Sequence, residues 1–458
     1  MRFHDFFAGI GGSSTGLLKA GLEGVVALNH WDYAIRLHNE NHPYMDHDQA
    51  DSWKADPRQY RPADVGWFSP ECRAHSTAKG KSRYGEHYIT DLWRNPTTDP
   101  ADDRSRMLME SVPHISAITG YKYVLVENVA EVVSWVHFDR WLKEMGKLGY
   151  SWKLLFLNSQ FFGTPQSRDR FFAVFWKKGM PVPDLDFRPE ALCAKCGWVQ
   201  GVQAWKPGRW HGKYDRQYIY ACPHCGQRVE PEINGAYTII DWDEKMPRIG
   251  DRPKGLSPKT IAKIRYGIER FGNFVMDTAH SDNVSISRPL DRPLSTQTTQ
   301  QSLALTISYY GRENAANTAA LPLPTVPTEN KIGLAYIETL RRTTQPTRMD
   351  EPMPTVIAGG NQHALVMSYY SNPVFAPTDQ PMPTVRTVQS NSLIVPEVDI
   401  NDVMFRMLKP RELASGTGFP VHYILKGSQR NQTRGIGGAV DPHVAEWLGR
   451  RILLAAAS

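Results

Sequence analysis

The sequence lacks any long apolar run. No segment approaches the roughly eighteen apolar residues that a membrane-spanning helix needs. The chain starts with Met1-Arg2-Phe3-His4-Asp5, which is typical of a strand and not of a signal peptide. We therefore expect a cytoplasmic protein, associated with the nucleoid if it binds DNA, and no membrane partner.

Cysteine is also scarce, with five in 458 residues. Four form two Cys-x-x-Cys pairs, and Cys72 is left over. Cys72 follows the apolar run Val65-Gly66-Trp67-Phe68, which predicts a buried strand ending at Ser69-Pro70. Ligands bind at the carboxyl ends of strands in an open α/β sheet. Cys72 is therefore a candidate nucleophile, although a lone cysteine is more often a small buried hydrophobe.

The composition is that of an ordinary globular protein, with 41% hydrophobic and 22% charged residues. The length predicts two or three domains, each able to bury its own core. The formal net charge of +6 suits a polyanionic partner without identifying one.

The first two predicted strands end in polar or glycine-rich turns. Ala8-Gly9-Ile10-Gly11-Gly12 forms a tight turn into a helix around Leu17, and Asn29-His30-Trp31-Asp32 follows the strand at Val25. Glycines there let the backbone approach a ligand and leave helix amides facing it. No lysine joins the turn, so a nucleoside-shaped ligand is favoured over a phosphate, with Asp51 on a third loop.

Further polar groups come at later strand ends. Glu127 directly follows the predicted strand Tyr123-Val124-Leu125-Val126, on the same sheet edge as Cys72. A later loop contains Gln166-Ser167-Arg168-Asp169-Arg170, whose alternate residues point one way in an extended segment. The basic stretch Thr77-Ala78-Lys79-Gly80-Lys81-Ser82-Arg83 either contacts a phosphate backbone or is a solvated loop.

Five stretches together resemble the DNA cytosine-C5 methyltransferases. They are Phe7-Ala8-Gly9-Ile10-Gly11-Gly12, then Pro70-Glu71-Cys72 with Ser76, then Glu127-Asn128-Val129, then Gln166-Ser167-Arg168-Asp169-Arg170, and a C-terminal pair, Arg406-Met407-Leu408-Lys409-Pro410-Arg411-Glu412 with Gly418-Phe419-Pro420, and Gly435-Ile436-Gly437-Gly438-Ala439-Val440-Asp441-Pro442. Their order and spacing are specific to that family. The likeness implies a Rossmann-like S-adenosylmethionine-dependent α/β fold with an inserted β-rich target-recognition region.

The resemblance also implies roles in catalysis. Cytosine C5 is a poor nucleophile until a thiolate adds to C6, and Cys72 would make that addition. Glu127 would protonate or hydrogen-bond N3 and the exocyclic amine, Arg168 would bind O2, and Arg170 would brace the site. Because C6 cannot be reached inside a duplex, the base must be flipped out. The residues implied to contact the DNA are Arg73, Ser76, Lys79, Lys81 and Arg83.

The methyl donor implied by the resemblance is S-adenosylmethionine. Phe7 would pack on the adenine, Gly9 and Gly11 would admit the methionine part, and Asp51 would accept from the adenine amine. The full set of implied donor-binding residues is Phe7, Ala8, Gly9, Ile10, Gly11, Gly12, His30, Trp31, Asp51, Ser52, Pro70, Gly438 and Ala439.

The chain departs from the family pattern at three positions. Glu71 replaces a proline, and a carboxylate facing the thiol would raise its pKa. His30 replaces the ribose-binding glutamate, and Gly438 replaces an asparagine near the donor, which opens space there. A carboxylated adenosylmethionine is therefore an alternative donor.

The two cysteine pairs predict a structural zinc ribbon at about residues 190–230. The pairs are Cys193/Cys196 and Cys222/Cys225, with 25 residues between them and a glycine after each pair. The aromatic and basic residues between the pairs either contact nucleic acid or fill the core of a small module.

The rest of the middle region predicts a basic helix and a repeat array. Ser257 and Pro258 begin a helix at about residues 257–271, whose basic face, including Lys263, is either DNA-facing or solvated. Four β-rich repeats of about 30 residues cover 285–397, each with a proline turn like Pro293-Leu294-Ser295-Thr296. We therefore predict catalytic parts at 1–180 and 401–458, with a target-recognition region at 181–400.

Three functions stay open at this point. The leading hypothesis is a sequence-specific DNA cytosine-C5 methyltransferase, which acts as a monomer on double-stranded DNA and has a cognate restriction endonuclease as a candidate partner. The second is methylation of cytosine in RNA. The third is a catalytically inactive DNA-binding protein, against which the presence of both Cys72 and Glu127 argues.

Overall fold

The structure is a computed structural model. It describes residues 1–52, 55–70, 108–271, 274–277, 287–296, 299, 303–307, 337–339, 363–368, 391–393 and 400–458. Cys72 lies outside the described residues, and so does Glu71, which departs from the family pattern. The predicted DNA-contacting residues also lie outside them: Arg73, Ser76, Lys79, Lys81 and Arg83.

The core is a seven-stranded mixed sheet. Its strands are β1 Arg2–Phe6, β2 Glu23–Leu28, β3 Asp46–Asp48, β4 Val65–Phe68, β5 Tyr123–Asn128, β6 Tyr150–Asn158 and β7 Asp169–Lys177. The strand order is β3-β2-β1-β4-β5-β7-β6, and all neighbours are parallel except that β7 runs antiparallel to both β5 and β6. β4 and β5 are buried along their whole length, as expected for strands covered on both faces. The α/β class predicted from the sequence is confirmed.

Helices cover this sheet. Those before the middle region are α1 Gly12–Ala20, α2 Asp32–Asn41, α3 Ser111–Thr119 and α4 Phe138–Lys147. The C-terminal helices are α6 Pro410–Gly416, α7 Gln429–Gly438 and α8 Pro442–Ala457. α8 returns to α1, so that a Cβ added at Gly16 would lie 2.6 Å from Ala445 Cβ. The C-terminal segment thus completes the fold of the N-terminal one.

The four paired cysteines lie in a small antiparallel sheet, here called the cysteine module. Its strands are β8 Glu190–Cys193, β9 Gly197–Gln200, β10 Val202–Trp205, β11 Tyr218–Ala221 and β12 Arg228–Pro231, in the order β10-β11-β12-β8-β9. Val199, Tyr218, Tyr220 and Val229 are buried in the same core cluster as Phe156 of β6. The module therefore packs against the main sheet.

A third sheet follows the cysteine module. Its strands are β13 Phe274–Asp277, β14 Ser287–Pro289, β15 Leu303–Ile307 and β19 Met404–Met407, in the order β14-β13-β15-β19. Helix α5, Pro258–Phe271, precedes it, and Ser257 caps that helix as predicted because its Oγ accepts the Thr260 N–H at 3.2 Å. Lys263 is 5% exposed. The predicted basic face is therefore not one continuous solvated or DNA-facing surface.

The chain divides into two compact units. The first comprises Met1–Pro247, Pro253–Ile307 and Met404–Ser458, and the second comprises Arg248–Arg252 and Ser308–Val403. In the second, the described strands β16 Ile337–Thr339, β17 His363–Ser368 and β18 Asn391–Leu393 form one antiparallel sheet. Much of the predicted repeat array lies outside the described residues. Among the helices that are described, none has both the length and the apolar character to cross a bilayer.

Candidate active site

The carboxyl end of β5 and the start of β7 place two opposite charges together. The register pairs Glu127 with Phe172 and Asn128 with Phe171, so Arg170, the second residue of β7, lies just beyond the end of β5. Arg170 Nε lies 2.9 Å from Glu127 Oε1, and Glu127 is 8% exposed. A carboxylate this far from water needs such a partner. The guanidinium fixes the direction in which the carboxyl group points.

Arg168 lies in the extended segment just before β7. Its side chain is 4% exposed. Its backbone N–H donates to Asn158 Oδ1 at 3.2 Å, and its carbonyl accepts the Ser159 N–H at 3.1 Å. The Asn158 amide also donates to Ser167 Oγ and to Asp169 Oδ1, each at 3.1 Å. One asparagine side chain thus organises the segment that carries both arginines.

The end of β4 lies beside the end of β5. Asn128 Nδ2 donates to the Pro70 carbonyl at 3.4 Å. Pro70 is the last described residue before the segment that contains Cys72. The chain therefore leaves the described structure two residues before Cys72, next to the strand that carries Glu127.

The glycine turn after β1 is held by a buried carboxylate. Ser13 Oγ and Ser14 Oγ each donate to Asp5 Oδ2 at 2.6 Å. Burial raises the pKa of Asp5 to about 7, against the lowering effect of these two hydroxyls. Phe7, the first residue of the turn, has φ +62°, in the left-handed region that non-glycine residues rarely adopt. The turn is thus held in an uncommon conformation by bonds to the strand behind it.

Close backbone packing requires glycine at one position of this turn. A Cβ on Gly12 would lie 2.0 Å from the Val440 carbonyl oxygen. The N–H of Ala8 donates to the Leu28 carbonyl at 3.0 Å, and that of Gly11 donates to Ala8 at 2.9 Å. Ile10 is fully buried, and its carbonyl accepts the Tyr423 hydroxyl. The turn is therefore bonded to β2 and to the C-terminal segment.

The remaining predicted donor residues lie after β2, after β3 and at the end of α7. Ser52 is buried, and its Oγ has no hydrogen-bond partner within the described ranges. A Cβ on Gly438 would meet no described atom within 4 Å, whereas Ala439 is buried. His30 is exposed, and Asp51 lies at intermediate exposure beside Ser52. An unpartnered hydroxyl, open space and helix amides at the start of α1 fit a nucleoside-type donor such as S-adenosylmethionine.

Several residues near the turn were missed by sequence reasoning. The Arg434 guanidinium lies 4.3 Å from the centre of the Trp31 ring. His38 hydrogen-bonds Ser14 Oγ at 3.0 Å and His47 at 2.8 Å, and His42 hydrogen-bonds Thr15 at 3.0 Å. The one sequence signal was a charged residue, Asp5, inside an otherwise apolar strand. The histidines gave no such signal, because their spacing also fits a solvated helix face.

The cysteine module contains a group of metal-binding side chains. The sulfur atoms of Cys193, Cys196, Cys222 and Cys225 all lie within 4.8 Å of one another. Four thiolates at such distances fit a tetrahedral zinc ion.

The aromatic residues between the cysteine pairs mostly fill the module's core. Tyr218 and Tyr220 are buried, and Trp205 packs on Phe156 with ring centres 5.6 Å apart. Lys213 pairs with Glu131 at 2.6 Å. Trp198 is 63% exposed. The core interpretation, left open by the sequence, therefore accounts for most of this segment.

Comparisons with known proteins agree on one family. Residues 1–194 match the family described as C-5 cytosine-specific DNA methylase. The Type II methyltransferase M.HgiDI of Herpetosiphon aurantiacus is 28% identical over 184 residues, 39% of this chain and 53% of that protein. M.HhaI of Haemophilus parahaemolyticus is 26% identical over 191 residues, 41% of this chain and 52% of that protein. The chain spans about half the length of the curated relatives it matches.

Solved structures align over a longer range but more weakly. The methyltransferase EhMeth of Entamoeba histolytica aligns over 99% of this chain and 98% of that chain, with 12% identity and a TM-score of 0.48. The stretch that matches the C-5 cytosine-specific DNA methylase family, residues 1–194, contains all seven strands of the mixed sheet and the Glu127–Arg170 ion pair.

Proposed function

We propose that this protein is a sequence-specific DNA cytosine-C5 methyltransferase. The observation that carries the proposal lies within the matched residues. The glycine turn that follows β1 and the Glu127–Arg170 ion pair at the carboxyl end of β5 lie at the same edge of one sheet. That edge is where open α/β sheets bind their ligands. A nucleoside-shaped donor and a reacting base therefore meet there.

S-adenosylmethionine, when bound, supplies a methyl group made electrophilic by its sulfonium. The chain contributes the donor's orientation. The amides at the start of α1 would bind its carboxylate, and the buried Ser52 hydroxyl would offer it a hydrogen bond. The open space at Gly438 would leave room for the donor.

The target cytosine is activated by residues of the chain. The Cys72 thiolate would add to C6 as the C5–C6 double bond opens, which makes C5 nucleophilic. After C5 has taken the methyl group, loss of its proton to a solvent base restores the double bond and releases the thiolate. Glu127 hydrogen-bonds N3 and the exocyclic amine, and Arg168 binds O2. Arg170 keeps the Glu127 carboxyl group in place through their 2.9 Å contact. Because none of these groups can reach a base inside a duplex, the cytosine is flipped out, and Arg73, Lys79 and Lys81 hold its flanking phosphates.

The middle of the chain supplies target recognition in this proposal. Residues 181–400 form the recognition region, and the cysteine module is a zinc ribbon that stabilises it. The four sulfurs within 4.8 Å of one another support the zinc site. The named Type II methyltransferases among the relatives suggest a restriction endonuclease as a further partner.

Labelled-methyl transfer to DNA and RNA tests the proposal. The purified protein is incubated with a donor labelled in its methyl group and either duplex DNA or RNA, and modified bases are identified by mass spectrometry. We expect 5-methylcytosine in DNA, none with Cys72→Ser, and a strong loss with Glu127→Gln. Label in RNA alone would establish the RNA alternative. A parallel incubation with carboxy-S-adenosylmethionine that gives a carboxymethylated base, where the unmodified donor gives no methylated base, would establish the alternative donor. Bisulfite sequencing of DNA from an expressing host then gives the target sequence.

A further inference from the structure

The segment that carries both arginines is paired with a distant part of the chain. Ser167 N–H donates to the Leu294 carbonyl at 2.8 Å, and Leu294 N–H donates to the Pro165 carbonyl at 2.8 Å. Gln166 and Leu294 thereby form an isolated parallel bridge. These bonds come directly before Arg168 in the sequence. Residues 294–296 therefore pair like a short added strand with the segment that leads to Arg168.

A side chain completes this pairing. The Thr296 hydroxyl donates to the Ser167 carbonyl at 3.0 Å. That carbonyl belongs to the same peptide unit as the Arg168 N–H, which donates to Asn158 Oδ1 at 3.2 Å. Because a peptide unit is planar and rigid, bonds at both its oxygen and its nitrogen fix its rotation. Rotation of this plane would carry the long Arg168 side chain away from its position.

Residues 294–296 are themselves firmly held. Leu294 is 1% exposed, and its Cδ1 would lie 2.9 Å from a Cβ added at Gly416 of α6. Arg288 Nη1 donates to the Pro293 carbonyl at 3.3 Å. An anchored segment can impose a conformation on its partner, whereas a mobile one cannot.

We propose that residues 294–296 position Arg168, with Thr296 as the positioning residue whose hydroxyl fixes the Ser167–Arg168 peptide plane. The inference rests on the proposed methyltransferase function and deepens it. Thr296 is the last residue of the proline turn in the first of the four sequence repeats, and its partner is the segment that carries the base-binding arginine. The recognition region therefore helps to form the site in which the base reacts.

Two substitutions at Thr296 and one control test this. Thr296→Val removes the hydroxyl at nearly constant shape, Thr296→Ser keeps it, and Thr238→Val removes a matched hydroxyl that donates to the Gly235 carbonyl at 2.8 Å. The loss of one hydrogen bond predicts a fall of about three- to tenfold in kcat for Thr296→Val. The KM for DNA stays at the wild-type value, and the Tm falls no further than in Thr238→Val, which also loses one hydrogen bond. Thr296→Ser restores kcat, and Thr238→Val leaves it unchanged.

Any one of three results would overturn the proposal. They are a wild-type kcat in Thr296→Val, a change in the KM for DNA with no change in kcat, and a kcat that Thr296→Ser does not restore. Hydrogen exchange gives a readout that does not need methyl transfer. We expect faster amide exchange at residues 166–170 in Thr296→Val than in Thr238→Val, even if the wild-type protein methylates nothing. Equal exchange in the two variants would reject the positioning role, whereas absent methylation alone would reject the proposed function.

Discussion

The register of the sheet brings Glu127 and Arg170, which are distant in sequence, into contact. β5 and β7 run antiparallel, so the last residues of one lie beside the first residues of the other. The resulting contact of 2.9 Å holds a nearly buried carboxyl group in one orientation. Hydrogen bonds to charged groups contribute about 1.5–3 kcal/mol each. Substitution of Arg170 should therefore remove the interaction that orients the Glu127 carboxyl group.

Arg170→Met tests this contact. We expect the single-turnover rate of methyl transfer to fall by about tenfold to hundredfold, since Glu127 loses its orienting cation. Arg140→Met is the matched control, because Arg140 pairs with Glu110 at an exposed site. Quench-flow measurement with labelled donor gives both rates. Equal rates in the two variants would contradict the account.

Substitution by alanine should change the free energy of unfolding in opposite directions at Gly438 and at Gly12 of the glycine turn. Gly438 is the last residue of α7 and has open space at its Cβ, so Gly438→Ala should raise the free energy of unfolding by about 0.5 kcal/mol. Gly12→Ala would place a methyl group 2.0 Å from the Val440 oxygen and should destabilise by several kcal/mol. Urea unfolding measures both. The same sign for the two substitutions would refute this packing.

At the scale of elements, three histidines lie close together near the start of α1. His38 is in α2, His42 directly follows α2, and His47 is in β3. The ring centres of His38 and His42 lie 4.7 Å apart, and those of His38 and His47 lie 4.9 Å apart. Burial lowers the pKa of all three, that of His42 to about 4. Burial raises the pKa of Asp5 to about 7, which has the opposite effect on the pH dependence of stability.

The pH dependence of stability should reflect these histidines. Between pH 6.5 and about 4 the unfolded chain binds a proton at His42 that the folded chain does not, so stability falls as pH falls through this window. Each such histidine contributes a slope of about 1.4 kcal/mol per pH unit. His42→Asn should remove one such contribution in urea unfolding across this range. An unchanged slope in His42→Asn would count against the buried cluster.

The cysteine module should depend on metal. Tyr214 N–H donates to Asp169 Oδ1 at 2.9 Å, so the module also contacts the segment with the two arginines. Cys196→Ser should reduce bound zinc from about one ion per chain to near zero and lower the Tm. Cys72→Ser should keep its zinc, since the four clustered cysteines of the described residues already supply a tetrahedral ligand set. Atomic absorption of both variants checks this, and zinc retained by Cys196→Ser would disprove the site.

Strong local patterns made much of this structure predictable. The strand Val65–Phe68 and the helix start at Pro258 agree with the sequence because an apolar run and a cap–proline pair specify them locally. Helix α1 begins at Gly12 and not near Leu17, because Asp5 and two serines hold its first turn. The Thr296–Ser167 bond joins residues 129 apart in sequence, so no local pattern could reveal it.

At the scale of the molecule, residues 308–403, the larger part of the second unit, are inserted between β15 and β19 of the first. Ile307 and Met404 are paired across these antiparallel strands. A two-residue Asn-Gly turn should therefore be able to replace residues 308–403. We expect this protein to fold, to keep its zinc and to bind S-adenosylmethionine with wild-type affinity by calorimetry. Loss of donor binding in a folded, zinc-loaded protein would contradict the independence of the first unit.

The central claim is that one sheet edge joins a nucleoside donor to a cytosine activated by Cys72 and Glu127. Its most direct test is the mass of the protein after incubation with donor and duplex DNA in which 5-fluorocytosine replaces cytosine, because fluorine at C5 blocks release of the thiol. We predict a covalent protein–DNA complex with wild-type protein and none with Cys72→Ser. A complex of equal yield in both, or in neither, would contradict the account.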